Sequence, residues 1–208
     1  PGSVRREMGL LGAVFRQARD EWNLMRDNPM TGIRKPSEPP PRDRLPTSAE
    51  IERMAHVAGD DLSTATGRAF HAVRFACETA MRAGEIVGLE WKDIDLDRRV
   101  AHLAMTKNGH ARDVPMTLAA VDLLRMLPDG DPVFGLTSRQ LDALFRSIKA
   151  KAHVSGLTFH DSRAYALTNL APRVDILTLA KISGHRDLRI LSNTYYRETA
   201  EDIAKRLG

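Results

Sequence analysis

Residues 79–95 read Thr-Ala-Met-Arg-Ala-Gly-Glu-Ile-Val-Gly-Leu-Glu-Trp-Lys-Asp-Ile-Asp, and within them a helical pattern gives way to a strand pattern. Upstream, Ala69, Ala72, Val73, Phe75 and Ala76 recur at helical spacing and predict a long helix over about 63–79. Gly84 is where the chain is expected to turn, because a residue without Cβ enters unusual backbone regions at little cost. A short helix through Glu85, Ile86, Val87 and Leu89 follows, which sets Arg82 at a junction between helices. From Trp91 to Leu96 apolar and polar residues alternate, as in a half-buried strand. Val100 to Met105 alternates more loosely, and Arg112-Asp113-Val114-Pro115 reads as a third short strand. Asp97-Arg98-Arg99 and Asn108-Gly109 supply the turns, the second being a strong hairpin dipeptide. The expected product is a small antiparallel meander with Lys107 at the tip end of its second strand.

Outward from the meander the chain is helical. Leu118 to Leu127, Ser138 to Ala152, Phe159 to Leu170, Ile176 to Ile182, Asp187 to about Tyr196 and Ala200 to Leu207 carry helical spacing, with Thr117, Thr137, Thr158 and Asp175 as N-caps. On the upstream side, Thr47-Ser48-Ala49-Glu50 has the form of a capping box, so a new domain is expected to begin there. Six prolines lie between Pro29 and Pro46, a run that forms neither helix nor central strand and reads as a linker. Before it, Leu10, Leu11, Val14, Phe15, Ala18 and Trp22 mark an amphipathic helix over about 4–25, which cannot bury its own stripe. The expected fold is mainly α with a small antiparallel three-stranded sheet. Its expected parts are 1–28, the last helix of a helical domain, 29–46, a linker, and 47–208, the main domain.

The bulk numbers bound the function without choosing it. With 208 residues, 42% of them hydrophobic, the chain can bury a full core. The formal charge of +4 is compatible with an anionic partner but does not by itself establish one. The single cysteine, Cys77, excludes a disulfide within the chain and fits a reducing cytosol; its apolar helical setting predicts a small buried residue rather than a nucleophile. No apolar run approaches the roughly 20 residues that span a bilayer, so no membrane partner is expected. The histidines His56, His71, His102, His110 and His153 show no paired ligand spacing, and no metal or other cofactor is expected.

Chemistry concentrates between Leu157 and Tyr196. This stretch holds His160 and Arg163 in Thr-Phe-His-Asp-Ser-Arg, His185 in Ile-Ser-Gly-His-Arg-Asp-Leu, and the adjacent Tyr195-Tyr196. Guanidinium groups clamp non-bridging phosphate oxygens, imidazoles move protons, and a phenol can serve as nucleophile. A free phenol has a pKa of about 10, so at pH 7 only about one in 10³ is ionised, a deficit of roughly 4 kcal/mol that a base and a cationic pocket must offset. Such a site needs a second arginine and a lysine from elsewhere in the chain.

These residues carry a family resemblance. Thr79 to Asp95 resembles the first signature of the tyrosine recombinase or phage integrase family, a T-G-x-R-x-x-E-x-x-x-L-x-W-x-D-I pattern. His160-Asp-Ser-Arg163 resembles the family's H-x-x-R box, and Ser183-Gly184-His185 with Tyr195 resembles its closing segment. Order and spacing agree over Thr47 to Leu207. The resemblance implies that Arg82 and Arg163 grip the scissile phosphate and that Lys107 is general acid to the leaving 5′ oxygen. It implies further that His160 accepts the tyrosine's proton, that His185 bonds a non-bridging oxygen, that Glu85 buttresses the pocket, and that Tyr195 is the nucleophile. The implied activity is site-specific cutting and rejoining of double-stranded DNA through a 3′-phosphotyrosine, by a homotetramer on DNA that is a monomer when free. Accessory DNA-bending proteins, a bacterial or phage-encoded cytoplasmic setting and a phage or genomic-island role are also expected.

Three departures from the pattern matter. Ala164 follows Arg163 where many members have a second histidine, and Ala83-Gly84 is an ordinary variant. Members place the tyrosine nine or ten residues after the histidine; Tyr195 stands at ten and Tyr196 at eleven, so Tyr196 remains the alternative nucleophile. Relatives also carry a helical clamp domain of which only the last helix is recognisable, so a catalytic fragment is expected, whose final helix, Thr199 to Leu207, docks on a neighbouring protomer. The rival readings are an inactive DNA-binding module on the same scaffold and a type IB topoisomerase-like DNA-relaxing enzyme.

Overall fold

The computed structural model describes residues 2–37, 44–104, 111–196, 201, 204 and 205. The chain forms two compact units, Pro1–Asp43 and Arg44–Gly208. In the first, helix α1 (Gly2–Asp20) is followed by a segment that returns along it, held by Arg5 Nη1 to the Pro36 carbonyl at 3.0 Å and Asn28 Nδ2 to the Gly12 carbonyl at 3.3 Å. The helix ends at Asp20, earlier than the spacing predicts, because Asn23 takes a left-handed conformation with φ 50° and the Leu24 amide turns back to the Ala18 carbonyl. Leu10, Leu11, Val14 and Trp22 are all exposed.

The second unit opens with α2 (Ser48–Ala58), whose cap is the reciprocal box expected from its sequence: the Thr47 amide donates to Glu50 Oε2 at 3.0 Å and the Glu50 amide to Thr47 Oγ1 at 3.3 Å. Helix α3 (Ala65–Thr79) is the central one, packed against α5 (Leu118–Arg125), α6 (Ser138–Lys151) and α7 (Phe159–Leu170). Ala69, Ala72, Phe75 and Ala76 have no exposed surface, and the small alanines let neighbouring helices come close on several sides. Phe75 meets Phe134 at 5.4 Å between ring centres.

The turn before α4 (Ala83–Val87) is made differently from the expectation. Ala80, not Gly84, adopts the left-handed conformation, with φ 54°, while Gly84 lies inside α4. The Ala80 amide still bonds the Ala76 carbonyl, and its own carbonyl is thereby turned toward α7. Trp91–Asp93 form a 3-10 turn, so the first strand shrinks to β1 (Ile94–Asp95), which pairs with β2 (Val100–Leu103), itself paired with β3 (Arg112–Pro115). All pairings are antiparallel in the order β1-β2-β3. Register Ala101↔Val114 buries one face, and His102↔Asp113 puts the exposed pair on the other, His102 Nδ1 lying 2.7 Å from Asp113 Oδ1. The Asn108-Gly109 turn and Lys107 lie outside the described residues.

Beyond α7, helix α8 (Ile176–Ser183), capped by the Asp175 carboxylate on the Leu177 and Thr178 amides, leads through a tight turn to α9 (Leu188–Tyr195). Ala80, Ala166, Leu167, Leu179 and Leu191 form a small second core beneath these helices, with Tyr195 and Tyr196 packed on it. This core fixes α9 against α7 and α8.

Candidate active site

Arg82 is the N-cap of α4, and the residue three on, Glu85, accepts both its amide and its Nη1, each at 2.8 Å. The same carboxylate takes a fork from Arg112 on β3: Nη1 to Oε1 at 2.9 Å and Nη2 to Oε2 at 2.8 Å. Burial pushes the Glu85 carboxyl up, but the hydrogen bonds and charge of Arg112, joined by those of Arg82, reverse that and hold it at about 2. Glu85 is therefore ionised, and it ties one guanidinium from the helix junction to one from the sheet.

Arg112 is a site residue that the sequence reading did not single out. Its Nε also donates to the Ile182 carbonyl at 3.2 Å, and its guanidinium lies against Gly184. A Cβ built on Gly184 would stand 3.2 Å from Arg112 Nη1 and 3.3 Å from Cδ and Cζ, and Gly184 has φ 70°. Glycine thus suits the position twice: it adopts the left-handed turn that ends α8, and a Cβ there would oblige Arg112 to give by a few tenths of an ångström. Only the Arg-x-Val-Pro spacing on a strand facing the motif could have hinted at Arg112.

Arg163, on α7, is 2% exposed. Its Nη1 donates to the Ala80 carbonyl, the one turned by the left-handed residue, and its Nη2 to the Ser183 carbonyl at 2.5 Å. Burial, and then the neighbouring positive charge of Arg82, lower it to about 10, so the group stays charged at neutral pH. His185 follows Gly184, with Nδ1 2.7 Å from Ser183 Oγ. Burial, followed by the charges of Arg163 and Arg82, lowers His185 to about 4, so the ring is neutral at pH 7. Three guanidinium groups against one carboxylate leave this cluster with a net positive charge, an arrangement suited to a phosphodiester.

Tyr195 ends α9 half-buried, and burial raises its phenol while the charge of Arg163 works the other way. The structure thus sets the Tyr195 ring within electrostatic reach of Arg163. Tyr196 faces elsewhere: its hydroxyl donates to the Val174 carbonyl at 2.7 Å, and burial and then Asp175 raise it. His160 sits one turn before Arg163 on α7 and is exposed where Arg163 is buried. Arg82, Glu85, Arg163, His185 and Tyr195 are thus gathered in one region, with Tyr196 hydrogen-bonded outside it. Cys77, expected to be buried, is only partly so; burial nonetheless pushes its thiol up to about 12, and it lines a cleft with Arg74, Glu78 and Tyr165 to which none of these residues contributes.

Residues 45–202 match the phage integrase family. A putative integrase/recombinase of Haemophilus influenzae is 42% identical over 211 residues, covering 99% of this chain and 69% of its own length. A shufflon-specific DNA recombinase of Escherichia coli is 38% identical over 207 residues, covering 98% of this chain but 53% of its own. The Tn1549 transposon integrase in complex with transposon right end DNA superposes with a TM-score of 0.71 at 19% identity, over 99% of this chain and 78% of that one, a likeness of fold. The chain belongs to the phage integrase family, the site-specific tyrosine recombinases, and spans 69% of the length of the Haemophilus influenzae relative and 53% of the Escherichia coli one. No described helix is long and apolar enough to cross a membrane.

Proposed function

We propose that this chain carries the catalytic centre of a site-specific DNA recombinase, with Tyr195 as nucleophile. The observation that favours it is that Tyr195 lies within electrostatic reach of the buried Arg163, while the Tyr196 hydroxyl is bonded to the Val174 carbonyl. Arg82 and Arg163 hold the scissile phosphate, and Glu85 and Arg112 keep Arg82 in place. Fixed guanidinium donors meet the charge that builds on the five-coordinate phosphorus. In the first step the Tyr195 oxygen forms a bond to phosphorus and its proton passes to His160. The bond from phosphorus to the 5′ oxygen breaks, and Lys107 protonates that oxygen. The product is a 3′-phosphotyrosine and a free 5′ hydroxyl, and attack by another 5′ hydroxyl reverses the sequence and joins a new strand.

The partner in this reading is double-stranded DNA; the Tn1549 integrase, similar in fold, is in complex with transposon right end DNA. Exchange of two strands calls for a homotetramer on DNA assembled from monomers, with accessory bending proteins as further partners. Residues 1–28 contribute to a core-DNA-binding domain, and the role is phage or genomic-island integration and excision. The test is covalent trapping on a nicked duplex whose short 5′-hydroxyl end is lost after cleavage, with mass spectrometry of the DNA-linked peptide. The expected adduct is on Tyr195 and is absent in Tyr195→Phe and Arg163→Ala. An adduct on Tyr196 would reassign the nucleophile, and no adduct even with the chain tethered to a strong DNA-binding domain would overturn the catalytic reading.

A further inference from the structure

We propose that Ser183 is a positioning residue that sets the tautomer of His185: in the DNA complex its hydroxyl donates to Nδ1, so the ring carries its proton on Nε2 and donates it to a non-bridging phosphate oxygen. The proposal rests on the reading of this site as one that grips a phosphodiester. Ser183 is the last residue of α8 and has no exposed surface. Its Oγ lies 2.7 Å from His185 Nδ1 and 2.7 Å from the Leu179 carbonyl. The left-handed Gly184 between them folds the imidazole back over the serine side chain.

A hydroxyl has one proton, so two arrangements compete. In one, Ser183 donates to the Leu179 carbonyl and accepts from His185 Nδ1–H, which leaves a lone pair on Nε2. In the other, Ser183 donates to Nδ1, and Nε2 carries the proton. The groups facing the ring, Arg163, Arg82, Arg112 and His160, oppose a second proton on it. A neutral imidazole has only one N–H, and the hydrogen bond made by one nitrogen decides which nitrogen holds it. An Nε2 lone pair would repel a phosphate oxygen, whereas an Nε2–H would bind it. The bound anion therefore selects the second arrangement. The Leu179 carbonyl belongs to the helix, so losing the serine's donation leaves it supported. Ser183 also holds Arg163 through its backbone carbonyl, a contact that truncation of the side chain leaves in place.

The test is nitrogen-15 NMR of histidine-labelled protein carrying Tyr195→Phe, bound to an uncleaved duplex, with His185 assigned by its loss in His185→Gln. The expected spectrum is that of the neutral Nε2–H tautomer with Ser183 present and a mixture of tautomers in Ser183→Ala. Single-turnover trapping with Tyr195 intact should be slower in Ser183→Ala by about tenfold, the effect of one neutral hydrogen bond. An Nδ1–H tautomer in the complex, or the same tautomer with and without the serine hydroxyl, would overturn the proposal. The two readouts separate the two claims. An adduct with the Nδ1–H tautomer removes the role of Ser183 alone; the Nε2–H tautomer without any adduct removes the recombinase reading and leaves the serine–histidine relation standing.

Discussion

Replacing Glu85 by glutamine removes one negative charge from the middle of three arginines. Its carboxylate accepts the Arg82 amide and Nη1 and both terminal nitrogens of Arg112, and its side chain is 8% exposed. Glutamine keeps the shape, but its NH2 would confront guanidinium donors, and Arg82 and Arg112 would lose the carboxylate they share. Lowering the carboxyl from its ordinary 4.5 to about 2 corresponds to about 3 kcal/mol of stability at neutral pH. That agrees with the ~3–5 kcal/mol typical of breaking a buried ion pair by removing one member. For a domain of this size the expected drop in Tm is roughly 6–12 °C. Because the folded pKa lies below the unfolded one, the Glu85 contribution is fully present above pH 4.5 and disappears as pH falls toward 2. The assay is urea unfolding of wild type and Glu85→Gln at several pH values. A variant within about 0.5 kcal/mol of wild type at pH 7 would refute the reasoning, since surface substitutions away from such features have effects of that size.

Tyr196→Phe should retain the covalent adduct and lose about 1 kcal/mol in urea unfolding, the value of the bond to Val174, whereas Tyr195→Phe should lose the adduct and little stability. Gly184→Ala meets a positive φ and the Arg112 guanidinium together; a loss of about 1–3 kcal/mol is expected, with slower strand cleavage, and unchanged thermal unfolding would contradict it. His185, lowered from 6.5 to about 4, binds its proton more weakly when folded than when unfolded. Stability of the DNA-free protein should therefore fall as pH drops from 6.5 to 4, and His185→Gln should flatten that part of the profile.

What could be read in advance was local. Thr47, Thr137 and Asp175 cap helices through hydrogen bonds two or three residues along, so each stop and start is written beside itself. Arg82, Glu85, Arg163, His185 and Tyr195 were legible for another reason: they resemble a pattern, and folding brings them together. Arg112 was missed because its meaning lies 27 residues away at Glu85 and 70 away at Ile182, where no periodicity points. Gly84 misled, since an alanine with no exposed surface takes the left-handed turn that free glycine would have been expected to take. The preference of a residue for a backbone region is a fraction of what packing can impose. The strand expected from Trp91 was shortened by a tertiary bond, the Trp91 amide reaching Asp131 at 3.3 Å.

The contact between Gly184 and Arg112 has an evolutionary corollary. A methyl at 184 would press on the guanidinium at 112 from 3.2–3.3 Å, so what one position tolerates depends on the other. A lineage that shortened residue 112 would open room for a methyl at 184, yet it would also strip Glu85 of its fork and leave the φ of 70° unrelieved. Strand, helix cap and acidic residue are therefore coupled through this contact and the Glu85 fork. In a set of related sequences, 85, 112 and 184 should turn over as a block.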